Sequence, residues 1–315
     1  MTNRCLYCYQ PINEGLDFHE GCSRAFFGTS QAPLIEYSLN QMDELARKVI
    51  ERSVAVPGVQ AKLSMSMVKT KTKKAGSRLT VIDALGGMFI LKPPSERFPE
   101  MPANEHLTMR IAEAFGIRVV PSSLIRLASG ELAYITKRID RTNAGEKIHM
   151  IDMFQITEAF DKYKSSMEKV GKAIRQYSDN TLLDLSFYFE LSVFCFVTGN
   201  NDMHLKNFSM IKNISGWTLA PSYDLLNVSI LNPDDKEELA LTLSGKKSKL
   251  KREHFLQLGD ELGLNTKQID GTFKRIEKNA PKAIKWIDHS FLSTVMKNAY
   301  KELLEKRYRQ LGLDI

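Results

Sequence analysis

Three side chains past the middle of the chain, Asp202, His204 and Asn207, stand in a D-x-H-x-x-N spacing, and a second acid closes the run Pro221-x-Tyr223-Asp224. Two carboxylates and an amide are groups that phosphoryl transfer asks of a protein. One carboxylate accepts the proton of the attacking hydroxyl, while an amide oxygen and a second carboxylate hold magnesium on the phosphates. Asp202 suits the first role, and Asn207 and Asp224 suit the second. The same residues also read as a plain turn, with an Asp capping it, a surface His and an Asn in a β-turn. The surroundings favour the chemistry. An apolar stretch, "LLDLSFYFELSVFCFV", precedes the pattern, and two strand-like stretches, "NFSMIKN" and "GWTLAPS", separate Asn207 from Asp224. Helix, loop, hairpin and acid in that order bring two carboxylates and an amide to one place.

Other groups offer different chemistry. Lys92 ends the strand-like run "FILKPP", where its ammonium could reach the phosphates of ATP, although a Lys at a strand end also reads as merely solvated. In "ANEHLTMRIA", Glu105 could orient Lys92 or the metal. In "AVPGVQAKLSM", Gly58 permits close backbone approach, Gln60 can donate an amide hydrogen bond and Lys62 adds charge, though a lone glycine usually makes only a turn. At the N-terminus, Cys5-x2-Cys8 and His19-x2-Cys22 give four ligands at structural-zinc spacing, with Pro11 and Gly15 in the return between the pairs. The plainer alternative is three reduced cysteines and a surface His. With three of four cysteines inside the first 22 residues, no disulfide framework spans the chain. Cys195, inside the apolar run, reads as a small core residue.

The elements that must position these groups follow from periodicity and punctuation. Residues 1–35 read as a compact irregular Cys/His-rich module, and a helix is expected from about Asn40 to Arg52. Strands are expected in "AKLSMSMV", "RLTVIDA" and "GMFILKP", then in "RVVPSSLIRL" and "ELAYITKRI". Between them, Leu107, Ile111, Ala114 and Phe115 recur at helical spacing and Gly116 stops the helix. Beyond Asp140 helices dominate, in "MIDMFQITEAF", "SMEKVGKAIRQY", the apolar run and three segments from about Arg252 onward. The last, Phe291 to Leu311, carries Leu292, Val295, Met296, Tyr300, Leu303 and Leu304 on one face as core packing. The predicted architecture is α+β and two-lobed. It has a module over 1–35, a mainly β lobe over 36–139 and a helical lobe over 140–315, suited to a ligand held between lobes.

The catalytic stretch, Asp202, His204, Asn207 and Phe208, then Pro221, Tyr223 and Asp224, resembles the catalytic and metal-binding segments of the HipA-like Ser/Thr kinases. These are bacterial toxins distantly related in fold to phosphatidylinositol 3/4-kinases. The likeness extends from about Ser53 to the C-terminus. It implies a protein-kinase-like fold, ATP and Mg2+ as cofactors, Asp202 as catalytic aspartate, and Asn207 and Asp224 as magnesium ligands. It also implies that His204 and Lys206 support the loop or the transferred phosphate, and that Lys92 serves the nucleotide. By the same resemblance Gly58, Gln60 and Lys62 form the phosphate-covering loop, and the backbone of Thr136, Lys137 and Arg138 meets the adenine edge. The sequence departs from the family where autophosphorylated serines usually stand, since Ala55 and Pro57 occupy those positions; Ser53 and Ser64 are nearby.

Composition narrows the class. The chain has 315 residues, 43% hydrophobic and 26% charged, with no apolar run of the ~18 residues that span a bilayer. No secretory leader is visible, so a cytoplasmic protein is expected. The net charge of +7 sits largely in clusters such as Lys69 to Lys74 and Lys246 to Arg252, which read as solvated loops. The resemblance implies the toxin of a toxin-antitoxin system, phosphorylating a protein such as an aminoacyl-tRNA synthetase. Its partner would be an antitoxin with a DNA-binding helix-turn-helix. This chain carries no such signature, so no direct nucleic-acid contact is expected. Two other classes remain: a catalytically silent kinase-fold binding module, and a small-molecule or lipid kinase.

Overall fold

Leu63 and Met65 are buried while Ser64 and Ser66 between them are half-exposed, the alternation of a strand with one face on a core. That strand belongs to a computed structural model that describes residues 3–42, 44–45, 62–69, 77–82 and 86–315. The chain divides into two compact units. One comprises Met1–His106, Val120–Lys147 and His289–Phe291; the other comprises Leu107–Val119, Ile148–Asp288 and Leu292–Ile315.

The first unit is built on a six-stranded sheet of β1 (Leu34–Ile35), β2 (Leu63–Lys69), β3 (Ser77–Val81), β4 (Phe89–Lys92), β5 (Ser122–Arg126) and β6 (Leu132–Lys137), in the order β1-β3-β2-β4-β6-β5. Only β1 against β3 is parallel. Register sets Leu91 opposite Ile135 and Lys92 opposite Tyr134. The N-terminal segment is less irregular than its composition suggests, because Glu20–Phe27 forms a helix, α1. Gly28 ends it at φ 78°, its N–H returning to the Arg24 carbonyl. This helix delivers Phe26 and Phe27 to the sheet core beside Phe89 and Leu91. Helical backbone begins at residue 39, and the expected continuation over 46–52 lies outside the described residues. Strand β5 starts at Ser122 rather than Arg118, since Pro121 has no N–H for the ladder.

A second helix, α2 (Met101–Ala114), ends as expected before Gly116, which adopts φ 88°. The second unit holds β7 (Met150–Asp152), α3 (Met153–Ile156), α4 (Met167–Tyr177) and α5 (Thr181–Val197). These are followed by β8 (Ser209–Asn213), β9 (Gly216–Leu219), α6 (Val228–Leu231), α7 (Arg252–Glu261), α8 (Thr266–His289) and α9 (Thr294–Leu311). Helix α5 is apolar on nearly all sides and is correspondingly buried, with Phe189, Phe194 and Phe196 fully covered. Its one buried acid, Asp184, accepts from Ser178 Oγ at 2.7 Å, the Leu219 N–H at 2.6 Å and Arg118 at 3.2 Å, tying α5 to β9. Among the described residues no helix is long and apolar enough to cross a membrane.

Four expectations for this unit need correction. Residues 150–160 are not one helix, because Asp152 is an N-cap in extended conformation, accepting from the Gln155 N–H while the Gln155 side chain accepts from the Asp152 N–H. Met150–Asp152 therefore pairs with β8, and the expected hairpin is a three-stranded sheet of order β7-β8-β9. Strand β8 begins at Ser209, since Leu205–Asn207 forms a 3-10 turn instead. In α9, capped by the Ser293 side chain, Tyr300 and Leu304 are buried but Val295 is 76% exposed. At ~100° per residue Val295 lies about 140° from Tyr300 and leaves the core stripe.

Candidate active site and candidate metal centre

The candidate catalytic loop starts where α5 stops. Gly199 turns the chain at φ 68°, and a side chain there would collide with Leu303 and with Asn227 Oδ1 at 2.7 Å. The next residue, Asn200, is fully buried and braces the loop from inside: its Oδ1 accepts from the Asp202 N–H at 3.3 Å, and its Nδ2 donates to the Asp224 carbonyl at 3.5 Å. One side chain thus links the backbones of both candidate acids, a role with no motif to announce it.

Asp202 is half-buried, and its carbonyl accepts from the His204 N–H at 2.8 Å and from Asn207 Nδ2 at 3.0 Å. The second bond fixes the Asn207 carboxamide and leaves Oδ1, a hard oxygen donor, as its other corner. Tyr163 Oη donates to Asp202 Oδ1 at 2.7 Å, and the Tyr163 ring packs edge-on against His204 with centroids 5.0 Å apart. Burial, and then the Asp202 charge beside it, push the Tyr163 phenol well above its ordinary pKa. Tyr163 lies on the segment between α3 and α4, which is sutured to the loop by the Leu205 N–H to Lys162 carbonyl bond at 3.2 Å.

His204 is buried, and its Nδ1 has no hydrogen-bond partner among the described residues. Burial lowers its pKa, and Lys162 adds to this while Asp202 and Asp224 oppose it. Lys206 is exposed, its ammonium 4.7 Å from the centre of the Phe154 ring. Asp224 holds φ 55°, in the left-handed region that non-glycine residues seldom occupy and that recurs at functional sites. Three contacts fix the approach to it. The Ser222 N–H donates to the Arg118 carbonyl at 2.8 Å. Tyr223 Oη sits 2.6 Å from Ser209 Oγ and donates to the Lys206 carbonyl at 3.0 Å. Within the second unit Asn200 therefore links the backbones of Asp202 and Asp224, and Asn207 is bonded to the Asp202 carbonyl; an amide oxygen and a carboxylate are donor types that suit a hard divalent cation.

The remaining residues belong to the first unit. Lys92 is buried at the end of β4 and donates to Glu105 Oε1 of α2 at 2.6 Å, an ion pair with both side chains at least 95% covered. Thr136 Oγ1 and the Lys137 N–H both donate to the Pro121 carbonyl at 3.0 Å, and the Arg138 N–H donates to the Met88 carbonyl at 2.9 Å. The backbone N–H groups of Lys137 and Arg138 are thus both engaged within the first unit. Burial lowers the Lys137 pKa. Lys62 is exposed just before β2, Ser64 lies within β2, and Gly58, Gln60, Ser53, Ala55 and Pro57 lie outside the described residues.

Cys5, Cys8, His19 and Cys22 come together, their Sγ and imidazole nitrogen atoms all within 4.8 Å of one another. Burial opposes ionisation of Cys5, but backbone N–H groups of Cys8, His19 and Tyr7 outweigh it and lower its pKa. Burial and then the neighbouring Cys5 sulfur push Cys22 up.

Comparison with known proteins places these features in context. The profile described as HipA-like C-terminal domain matches residues 54–284. A Haemophilus influenzae protein named as a putative kinase is 28% identical over 257 residues, covering 71% of this chain and 73% of that protein. The serine/threonine-protein kinase toxin HipA of Shewanella oneidensis is 24% identical over 212 residues, 60% of this chain and 48% of the toxin, so the aligned region spans about half the toxin's length. The solved complex of Shewanella oneidensis HipA with HipB and operator DNA matches with a TM-score of 0.69 at 20% identity, over 96% of this chain and 80% of that one. The fold is thus mixed α/β and kinase-like.

Proposed function

This chain belongs to the HipA-like C-terminal domain family, and on that premise we propose that it is an ATP- and magnesium-dependent Ser/Thr protein kinase. The observation that carries the reading is the bracing of both acids by Asn200, which joins the backbones of Asp202 and Asp224, with Asn207 bonded to the Asp202 carbonyl. Asp202 accepts the proton of a Ser or Thr hydroxyl as its oxygen bonds to the γ-phosphorus; the bond from that phosphorus to the bridging oxygen breaks, and ADP leaves. Asn207 and Asp224 hold the metal, which when bound neutralises charge on the phosphates. His204 packs the loop against Tyr163, and Lys206 lies on the same turn. Lys92, oriented by Glu105, serves the nucleotide phosphates, with Gly58, Gln60, Lys62 and the Thr136–Arg138 strand end contributing to nucleotide binding.

The finer fold we propose is that of the phosphatidylinositol 3/4-kinase relatives, with residues 36–139 as a mainly β lobe, 140–315 as a helical lobe and 1–35 as an added module. HipA of Shewanella oneidensis was solved with HipB and operator DNA, and the likeness supports a toxin role here with an antitoxin partner that carries the DNA contact. The acceptor is a protein. Incubating the full chain with γ-labelled ATP and magnesium in an extract of its own cells should label a discrete protein on Ser or Thr. Asp202→Ala should abolish that labelling. Turnover of ATP onto a small molecule instead would favour the small-molecule kinase, and ATP binding with no transfer to any acceptor would favour the silent binding module.

A further inference from the structure

The Cys/His cluster lies outside the residues proposed for phosphoryl transfer, and its geometry is that of a site. His19 Nδ1 lies 3.3 Å from Cys8 Sγ and 3.7 Å from Cys22 Sγ. A tetrahedral zinc ion with Zn–S of about 2.3 Å and Zn–N of about 2.0 Å has an S···N edge of about 3.5 Å, between those two distances. The imidazole is also oriented for ligation. Its Nε2 lies 3.0 Å from the Pro11 carbonyl, which can only accept, so Nε2 carries the proton and Nδ1 turns its lone pair to the sulfurs.

Two local anomalies point the same way. His19 occupies the N-cap of α1, a position that usually holds a side chain bonded to the helix N–H groups, yet it makes no such bond. Tyr9 follows the Cys5–Cys8 turn in the left-handed region at φ 60°, with its N–H returned to the Cys5 carbonyl at 3.0 Å. Both are explained by a centre that draws the turn and the start of the helix together.

We infer that Cys5, Cys8, His19 and Cys22 form a closed structural zinc site. Three thiolates and an imidazole suit this borderline-soft ion and not magnesium, and four protein ligands leave no position for a substrate. The site would clamp residues 5–8 to residues 19–22. An eight-residue helix has little stability alone, so the clamp would hold α1 in the place from which Phe26 and Phe27 enter the sheet core.

The test is metal analysis of the purified full chain. About one zinc per chain is expected, released when the thiols are blocked with a mercurial and accompanied by a lower melting temperature. Cobalt(II) replacing zinc should show the visible absorption of a tetrahedral thiolate site. Cys22→Ser should weaken metal binding at least ~10-fold, while Cys195→Ala keeps it. If Cys22→Ser does not fold, the cobalt spectrum of the wild type decides alone. Four free thiols with no zinc taken up on addition, a disulfide within the cluster, or an octahedral cobalt spectrum would overturn the assignment. None of these readouts depends on kinase activity.

Discussion

The phenol of Tyr163 donates to Oδ1 of Asp202 at 2.7 Å, joining two residues 39 positions apart in the chain. This contact fixes one oxygen of the carboxylate proposed as the proton acceptor and leaves the other to face an incoming hydroxyl. Tyr163→Phe keeps the ring against His204 and removes only the donor. A hydrogen bond to a charged group contributes about 1.5 kcal/mol, so kcat should fall about tenfold with KM for ATP unchanged. Steady-state kinetics of the variant checks this; an equal loss expressed in KM would contradict the positioning role.

The same contact predicts a titration. The Tyr163 phenol is held above its ordinary pKa first by burial and then by Asp202, whose carboxylate favours the protonated partner. Asp202→Asn removes that charge and should lower the Tyr163 pKa, leaving the part due to burial. Following the labelled Tyr163 ring carbon by NMR from neutral to alkaline pH would show the shift, and an unchanged titration would count against the contact.

His204 links the site to stability at low pH. Its pKa is lowered in the folded chain, chiefly by burial, so below the ordinary imidazole value of about 6.5 the unfolded state binds more protons. Stability contributed by the neutral ring is full above that pH and is lost as the pH falls through it. His204→Gln should flatten the decline in melting temperature between about pH 7 and pH 5. A variant with the same slope as wild type would exclude His204 as the titrating group responsible.

Asp184 holds β9, and with it the approach to Asp224. Asp184→Ala leaves the Leu219 N–H and Ser178 Oγ without their acceptor and Arg118 without its partner. The loss should be about 3 kcal/mol, at the low end for a broken buried pair because Arg118 is half-exposed. Urea denaturation monitored by fluorescence would measure it.

Gly199→Ala places a Cβ against Leu303 and Asn227 in a left-handed backbone. Strain and overpacking together should cost about 2–4 kcal/mol. Because Asn200 and Asp202 follow directly, activity should fall before the chain unfolds. Circular dichroism beside an activity assay separates the two losses.

The groups that announced themselves in the sequence were those whose chemistry depends on short spacing: Asp202, His204 and Asn207 within six residues, and the two Cys/His pairs. The three helical segments expected from about Arg252 onward are also present, as α7, α8 and α9. What stayed hidden depends on distant partners. Nothing near Tyr163 predicts that its hydroxyl meets Asp202, and Asn200 looks like any loop asparagine until both of its bonds are seen. Met150–Asp152 reads as the start of a helix because three residues carry too little periodicity to reveal a strand. Its pairing with Ser209–Asn213 and the cap at Asp152 decide the matter.

The proposed role of Asp202 is to accept the substrate proton while Asn207 and Asp224 hold the metal. Its most direct test is the conservative Asp202→Asn variant, measured for both ATP·Mg binding and phosphoryl transfer to the labelled protein. ATP·Mg affinity should stay close to wild type while transfer falls by ~10²–10⁴-fold, the range of a lost general base. Transfer at the wild-type rate by Asp202→Asn would contradict it.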